Sequence, residues 1–198
     1  MATGRASLCP IVFILAIIIL SGCRGPSEPE LLFAPGTAGP VVTGLLLIDP
    51  EGRLCAVWGQ PSEPSDPTGA VQLAAPYPNP VCMTCTVRYA VRAPARMKAW
   101  VVSAVRPGQS EQNFVYAGNS TLFVLRGMCV RTFFDESKAV GVYSMIWDGS
   151  TDAGQELASG FYRIYLQTAD VTLWRDIFYA RRASDIPPEL RALCTWCM

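Results

Sequence analysis

The chain has 198 residues, room for one domain or one and a half after any processing. It is 51% hydrophobic and only 16% charged, which excludes an intrinsically disordered chain. Lys+Arg and Asp+Glu each number 16, so no global field recruits nucleic acid, and the absence of histidine removes Ser-His-Asp and Cys-His catalysis, His-ligated zinc and CxxCH haem attachment.

The first 23 residues read MATGRASLCPIVFILAIIILSGC, with Arg5 in a short leading region and an unbroken apolar run over Ile11–Leu20. Ten helical residues cover about 15 Å, half of a ~30 Å hydrocarbon core, so the run reads as a signal-peptide core rather than a membrane span. Leu20-Ser21-Gly22-Cys23 follows directly and resembles the bacterial lipobox, in which two small residues precede a cysteine. The resemblance implies cleavage after Gly22, so that residues 1–22 are a leader, and acylation of Cys23, which anchors the mature protein to a membrane. Two or three acyl chains hold lastingly where one binds only marginally. Arg24 stands where Asp commonly marks inner-membrane retention, which points to the outer membrane, on its periplasmic face or at the cell surface.

Removing residues 1–22 takes Arg5 and no acid from the balance, so the mature chain is nearly neutral. Residues 24–40 hold four Pro and three Gly and show no apolar periodicity. With Cys23 they read as a tether (23–40) that holds the folded body off the lipid. Residues 41–70 read as a hairpin and linker. The apolar runs of Thr43–Trp58 flank Asp49-Pro50-Glu51-Gly52, whose Pro and Gly positions suit a type I turn, and Gln60–Thr68 is Pro/Ser-rich.

Residues 71–182 carry the main signal. Thr86–Arg92 alternates, with Val87, Tyr89 and Val91 on one face. Further strands are expected at Met97–Val105, Phe114–Ala117, Leu122–Arg126, Cys129–Phe134, Val140–Trp147, Gly160–Thr168 and Val171–Tyr179. Short strands at this spacing, with no long helical periodicity between them, predict an all-β sandwich of about seven strands. The parity shared by Arg88, Arg92 and Arg96, and the doublet Arg181-Arg182, read as solvated strand faces.

Tyr77-Pro78-Asn79-Pro80 leads into Thr86-Val87-Arg88-Tyr89. Later come Trp147-Asp148-Gly149, Asp152-Ala153-Gly154 and Ser159-Gly160-Phe161-Tyr162. Together these resemble the Ig-like domain of flagellar hook-capping proteins and the similar C-terminal sorting domain of type IX secretion cargo. The stretch from Val105 to Val140 is longer than in those domains, lacks their D-x-x-G-R turn, and the chain continues past Arg182. The resemblance implies a non-catalytic Ig-like module for assembly, adhesion or recognition. In residue terms, Tyr-Pro-Asn-Pro makes an extended entry to the first strand, Trp147 is a core residue and Asp148–Gly154 a turn. An Asp148/Asp152 calcium site lacks the ligand order of an EF-hand loop.

Eight cysteines are present: Cys9 in the leader, Cys23 at the lipid site, and Cys55, Cys82, Cys85, Cys129, Cys194 and Cys197 in the body. Exported cysteines read first as disulfides. The pairs Cys82–Cys85 and Cys194–Cys197 form CxxC motifs. The tail 183–198 reads as a short helix with a Ser184/Asp185 cap and with Leu190, Leu193, Cys194 and Cys197 on one face toward the body. Docked near Cys82 and Cys85, it would allow cross-disulfides, a four-thiolate zinc site or free redox-active thiols.

These observations lead to the expectation of a lipid-anchored, non-enzymatic envelope protein with structural or protein-interaction duties. It is expected to touch the membrane and an envelope protein partner, with no nucleic acid, no small-molecule substrate and no cofactor, unless zinc sits on the two CxxC pairs. Alternatives are a thiol or zinc-binding envelope protein and a type IX secretion cargo.

Overall fold

The computed structural model describes residues 39–107, 112–117, 120–125, 127–194 and 196. The leader, Cys9, Cys23, most of the tether and Cys197 lie outside these residues. The strands are β1 (Gly44–Ile48), β2 (Leu54–Gly59), β3 (Val71–Leu73), β4 (Cys85–Val91), β5 (Ala95–Ala104), β6 (Gln112–Ala117), β7 (Ser120–Leu125), β8 (Cys129–Lys138), β9 (Gly141–Trp147), β10 (Gly160–Gln167) and β11 (Thr172–Tyr179). A 3-10 turn at Ala183–Asp185 and a helix α1 of one turn, Pro188–Arg191, follow.

Seven strands build an antiparallel sandwich from a four-stranded sheet, ordered β11-β10-β5-β8, and a three-stranded sheet, ordered β3-β4-β9. The period of two in β4 places Cys85, Val87, Tyr89 and Val91 in the core, while Arg88 faces solvent. They meet Met97, Ala99 and Val101 of β5, Tyr162, Ile164 and Leu166 of β10, and Leu173 and Ile177 of β11. Fully burying each large side chain contributes about 1.5–3 kcal/mol, so this layer supplies the main driving force. The short β3 escaped the sequence reading because three residues are too few to show alternation.

β10 is buried on both faces. Its outer face, with those of β5 and β11, is covered by a further layer: Val42, Leu45 and Leu47 from the β1–β2 hairpin pack with Ala104, Phe161 and Phe178, and Ile186, Leu190 and Cys194 of the tail complete the cluster. Trp58 stacks on Phe161 at 5.9 Å. Both ends of the described chain therefore close over one sheet. The body also begins before residue 41, since Gly39 and Pro40 are buried and Pro40 accepts a backbone bond from Val105 at 3.2 Å.

The β1–β2 turn takes the expected form. Gly52 N–H donates to Asp49 O at 3.0 Å, Gly52 sits at φ +82°, and Asp49 accepts from Arg53 N at 2.8 Å and Nε at 2.7 Å. The linker after β2 is tied down by Asp66, whose carboxylate accepts from Thr68 N and Oγ1 and from Val71 N. The extra length between Val105 and Val140 is a β6–β7 hairpin that pairs only within itself among the described strands, an insertion between two neighbouring strands of the four-stranded sheet.

Trp147 is a core residue, 1% exposed, with its indole N–H on Ser150 O at 3.1 Å. Asp148 turns the chain by accepting from Ser150 N and Oγ. Gly149 then adopts φ +73°, and a Cβ there would lie 2.1 Å from the Tyr179 ring. That ring is held against Trp147 and Tyr162, so it has nowhere to retreat. Gly149→Ala is expected to cost about 2–3 kcal/mol in urea unfolding, combining overpacking with left-handed strain. Gly154→Ala, at φ +72° with nothing within 4 Å of the added Cβ, should lose only about 1 kcal/mol.

The tail departs from expectation in two respects. Its cap is Pro187 with no side-chain bond, and Ser184 and Asp185 lie in the preceding 3-10 turn, where Asp185 instead accepts from Ser159 Oγ at 2.7 Å. Leu190 and Cys194 are buried as expected, but Leu193 is 41% exposed. The helix ends at Arg191, so the i, i+3, i+4, i+7 register does not continue far enough to turn Leu193 inward.

Candidate functional site: the cysteine pairs and the clamp under the hairpin

The Cys82–Cys85 pair divides between two environments. Cys85 is 1% exposed in the main core beside Val87 and Trp147, where burial pushes its thiol up to about 12. Cys194 is 1% exposed in the outer cluster, its thiol also pushed up by burial. Both are free and serve as small apolar core residues, poor nucleophiles in these settings. Cys82 packs at the edge of the outer cluster and is disulfide-bonded. The other described cysteines, Cys55, Cys85, Cys129 and Cys194, are free, so no two described cysteines are joined to each other.

A tetrahedral zinc site on Cys82, Cys85, Cys194 and Cys197 does not fit this arrangement. Cys82 has no thiolate to give, Cys85 belongs to the other face of the sheet from Cys194, and Cys197 lies outside the described residues. No group of three or more metal-ligating side chains occurs among the described residues. The Asp148/Asp152 pair also separates: Asp148 is committed to Ser150, and Asp152 accepts from Thr132 N at 3.0 Å and sits 3.7 Å from Arg131. Arg88, Arg92 and Arg96 are exposed, as read from their parity. An open groove of about 710 Å³ lies at one end of the sandwich; of its three carboxylates, Asp66 is held by Thr68 and Asp135 by Arg96, and Asp170 is the third.

Sequence reasoning missed the polar clamp under the hairpin. Arg163 and Asp176 face each other on β10 and β11, 8% and 7% exposed, with Nε donating to Oδ1 at 2.6 Å and Nη2 to Oδ2 at 2.9 Å. Burial pushes the Asp176 carboxyl up while Arg163 pulls it the other way. The same Nη2 donates to Val41 O at 3.1 Å, and the guanidinium lies 5.1 Å from the Trp174 ring. Asn79, 1% exposed, donates Nδ2 to Leu46 O at 2.9 Å and to Asp176 O at 3.1 Å, and its Oδ1 accepts from Phe178 N at 3.1 Å. The peptide bonds Tyr77–Pro78 and Asn79–Pro80 are both cis, so the segment is not the plain extended entry expected of it. It exchanges backbone bonds with Ile48 and Thr86, and Val81 just after it donates to Phe178 O at 2.8 Å. The signal for the clamp was Arg163 inside the largely apolar β10 and Asp176 beside Arg175 in β11.

Trp100, Tyr165 and Trp174 form a neighbouring row on the same outer face, with ring centroids 5.1 Å and 6.2 Å apart.

Fold and site together define an all-β sandwich stitched by buried polar contacts. No family model, curated protein or solved structure matches the chain.

Proposed function

We propose that this is an envelope lipoprotein, anchored through an acylated Cys23, whose β-sandwich serves a structural or protein-interaction role without catalysis. The observation that carries the reading is the run Ile11–Leu20 ending in Leu20-Ser21-Gly22-Cys23, followed by a Pro/Gly-rich stretch that leads to a well-packed body. A lipid anchor, a spacer and a rigid module make a device for holding a surface at the membrane. The interaction role is supported by β9, an edge strand without a charged residue, which carries exposed Val142 and Ile146 with Val140 just before it. Soluble proteins usually blunt such edges with charge or proline. The outer membrane is the expected address.

Cys23→Ser should abolish acylation and move the protein out of the membrane fraction, or leave it as an uncleaved precursor. Normal processing and continued membrane association of that variant would remove the anchor reading. A photo-crosslinking residue at position 142 should join the protein to an envelope partner in cells, and a clean blank there would remove the interaction role of β9.

A further inference from the structure

Cys82 is disulfide-bonded, while Cys55, Cys85, Cys129 and Cys194 are free. The sulfurs left to pair with it are those of Cys9, Cys23 and Cys197. Cys9 lies in the leader and Cys23 is the acylation site, an elimination that rests on the reading proposed above. A second observation does not depend on that reading. Trp196, the residue before Cys197, donates its indole N–H to Pro80 O at 3.3 Å, two residues before Cys82. Trp196 and Cys82 pack against the same outer cluster, beside buried Leu190 and Cys194. A disulfide needs its two Cα atoms within about 4.4–6.8 Å, a range open to the chain neighbour of a residue docked in this way.

We propose that Cys82 and Cys197 form a disulfide that clasps the C-terminal tail to the Tyr77–Pro80 segment beneath the N-terminal hairpin. Each CxxC then splits its work: Cys85 and Cys194 fill core, and Cys82 and Cys197 cross-link. Forming the bond takes one electron and one proton from each thiol. The two electrons pass by thiol–disulfide exchange to a disulfide-bearing oxidant protein of the exporting compartment, which departs as a dithiol. The bond closes a loop of more than 100 residues and secures a helix of one turn, which does not persist alone in water. Leu190 and Trp196 dock the tail, and the sulfur bridge keeps it there.

The test uses the full chain made in an oxidising compartment, denatured and alkylated without reduction, then digested and mapped by mass. Cys55, Cys85, Cys129 and Cys194 should carry label, and one cross-linked peptide should join Cys82 to Cys197 and vanish on reduction. A peptide joining Cys82 to any other cysteine, or label on both Cys82 and Cys197 before reduction, overturns the proposal. In Cys197→Ser, Cys82 should become reactive. Reduction should lower the melting temperature of the wild type by roughly 10 °C and leave that of the variant unchanged. Continued protection of Cys82 in the variant would equally overturn the pairing. Failure of the anchor reading shows separately, as a Cys23 without lipid in the same map.

Discussion

Asp176→Ala is expected to destabilise the protein by about 3–5 kcal/mol, because it strands the Arg163 guanidinium at a site where both partners are less than a tenth exposed. In a domain of this size that corresponds to a fall of roughly 6–20 °C in melting temperature. Arg163→Met should cost as much from the other side, leaving a buried carboxylate without its two charge-assisted bonds. The double variant Arg163→Met/Asp176→Leu should recover most of the loss, since apolar side chains of similar volume match the cluster beneath the hairpin. Urea unfolding of the wild type, Arg163→Met, Asp176→Leu and the double variant forms a double-mutant cycle. Additive losses would show that the two residues act independently, contrary to their bidentate geometry. The bond from Arg163 to Val41 O adds a local readout. Hydrogen exchange in residues 41–48 should speed up in Arg163→Met more than in Asp176→Ala, because only the former removes that donor.

Asn79→Ala should cost about 3–4 kcal/mol. The side chain is 1% exposed and satisfies Leu46 O, Asp176 O and Phe178 N at once, so truncation leaves a buried N–H and two carbonyls short of partners. A packing role and a hydrogen-bonding role separate with Asn79→Asp, which keeps the volume but replaces the donor with an oxygen aimed at two carbonyls. The isosteric change is expected to be at least as damaging as alanine. If Asn79→Asp is tolerated while Asn79→Ala is not, shape rather than bonding holds this position. Thermal unfolding of the three proteins at neutral pH decides between them. Loss of the Asn79 amide should also loosen β1 from β11, since its Nδ2 donates to both Leu46 O of β1 and Asp176 O of β11.

Much of the sandwich was legible because side-chain alternation in a strand is a local property. Val87, Tyr89 and Val91 declare a buried face by their spacing alone, and all three are core. The Asp49–Gly52 turn and the Trp147-Asp148-Gly149 bend were equally readable, since Pro, Gly and Asp confine the backbone wherever they stand. The boundaries of β4, β5, β9, β10 and β11 therefore lie within two residues of expectation.

What alternation cannot say is which surface a second layer will cover. Phe161, Arg163 and Tyr165 share one face of β10, and nothing in GFYRIYLQ reveals that a hairpin over a hundred residues upstream and a tail some twenty-five residues downstream will cover its Phe161 end. Arg163 meets Val41 O only because the N-terminal segment arrives, and Asp176 becomes its partner through the β10–β11 register. Asn79 reads in sequence as the middle of a Pro-rich approach, yet its value comes from three bonds to residues distant along the chain. The tail shows the same division: Leu190 and Cys194 were identifiable as inward residues from their spacing, but the short helix left Leu193, read as inward too, exposed. Sequence by itself determined most of the strands and their turns. Tertiary structure decided the clamp, the separation of Cys82 from Cys85 and the cover over the outer sheet, because each depends on long-range contacts that local periodicity does not encode.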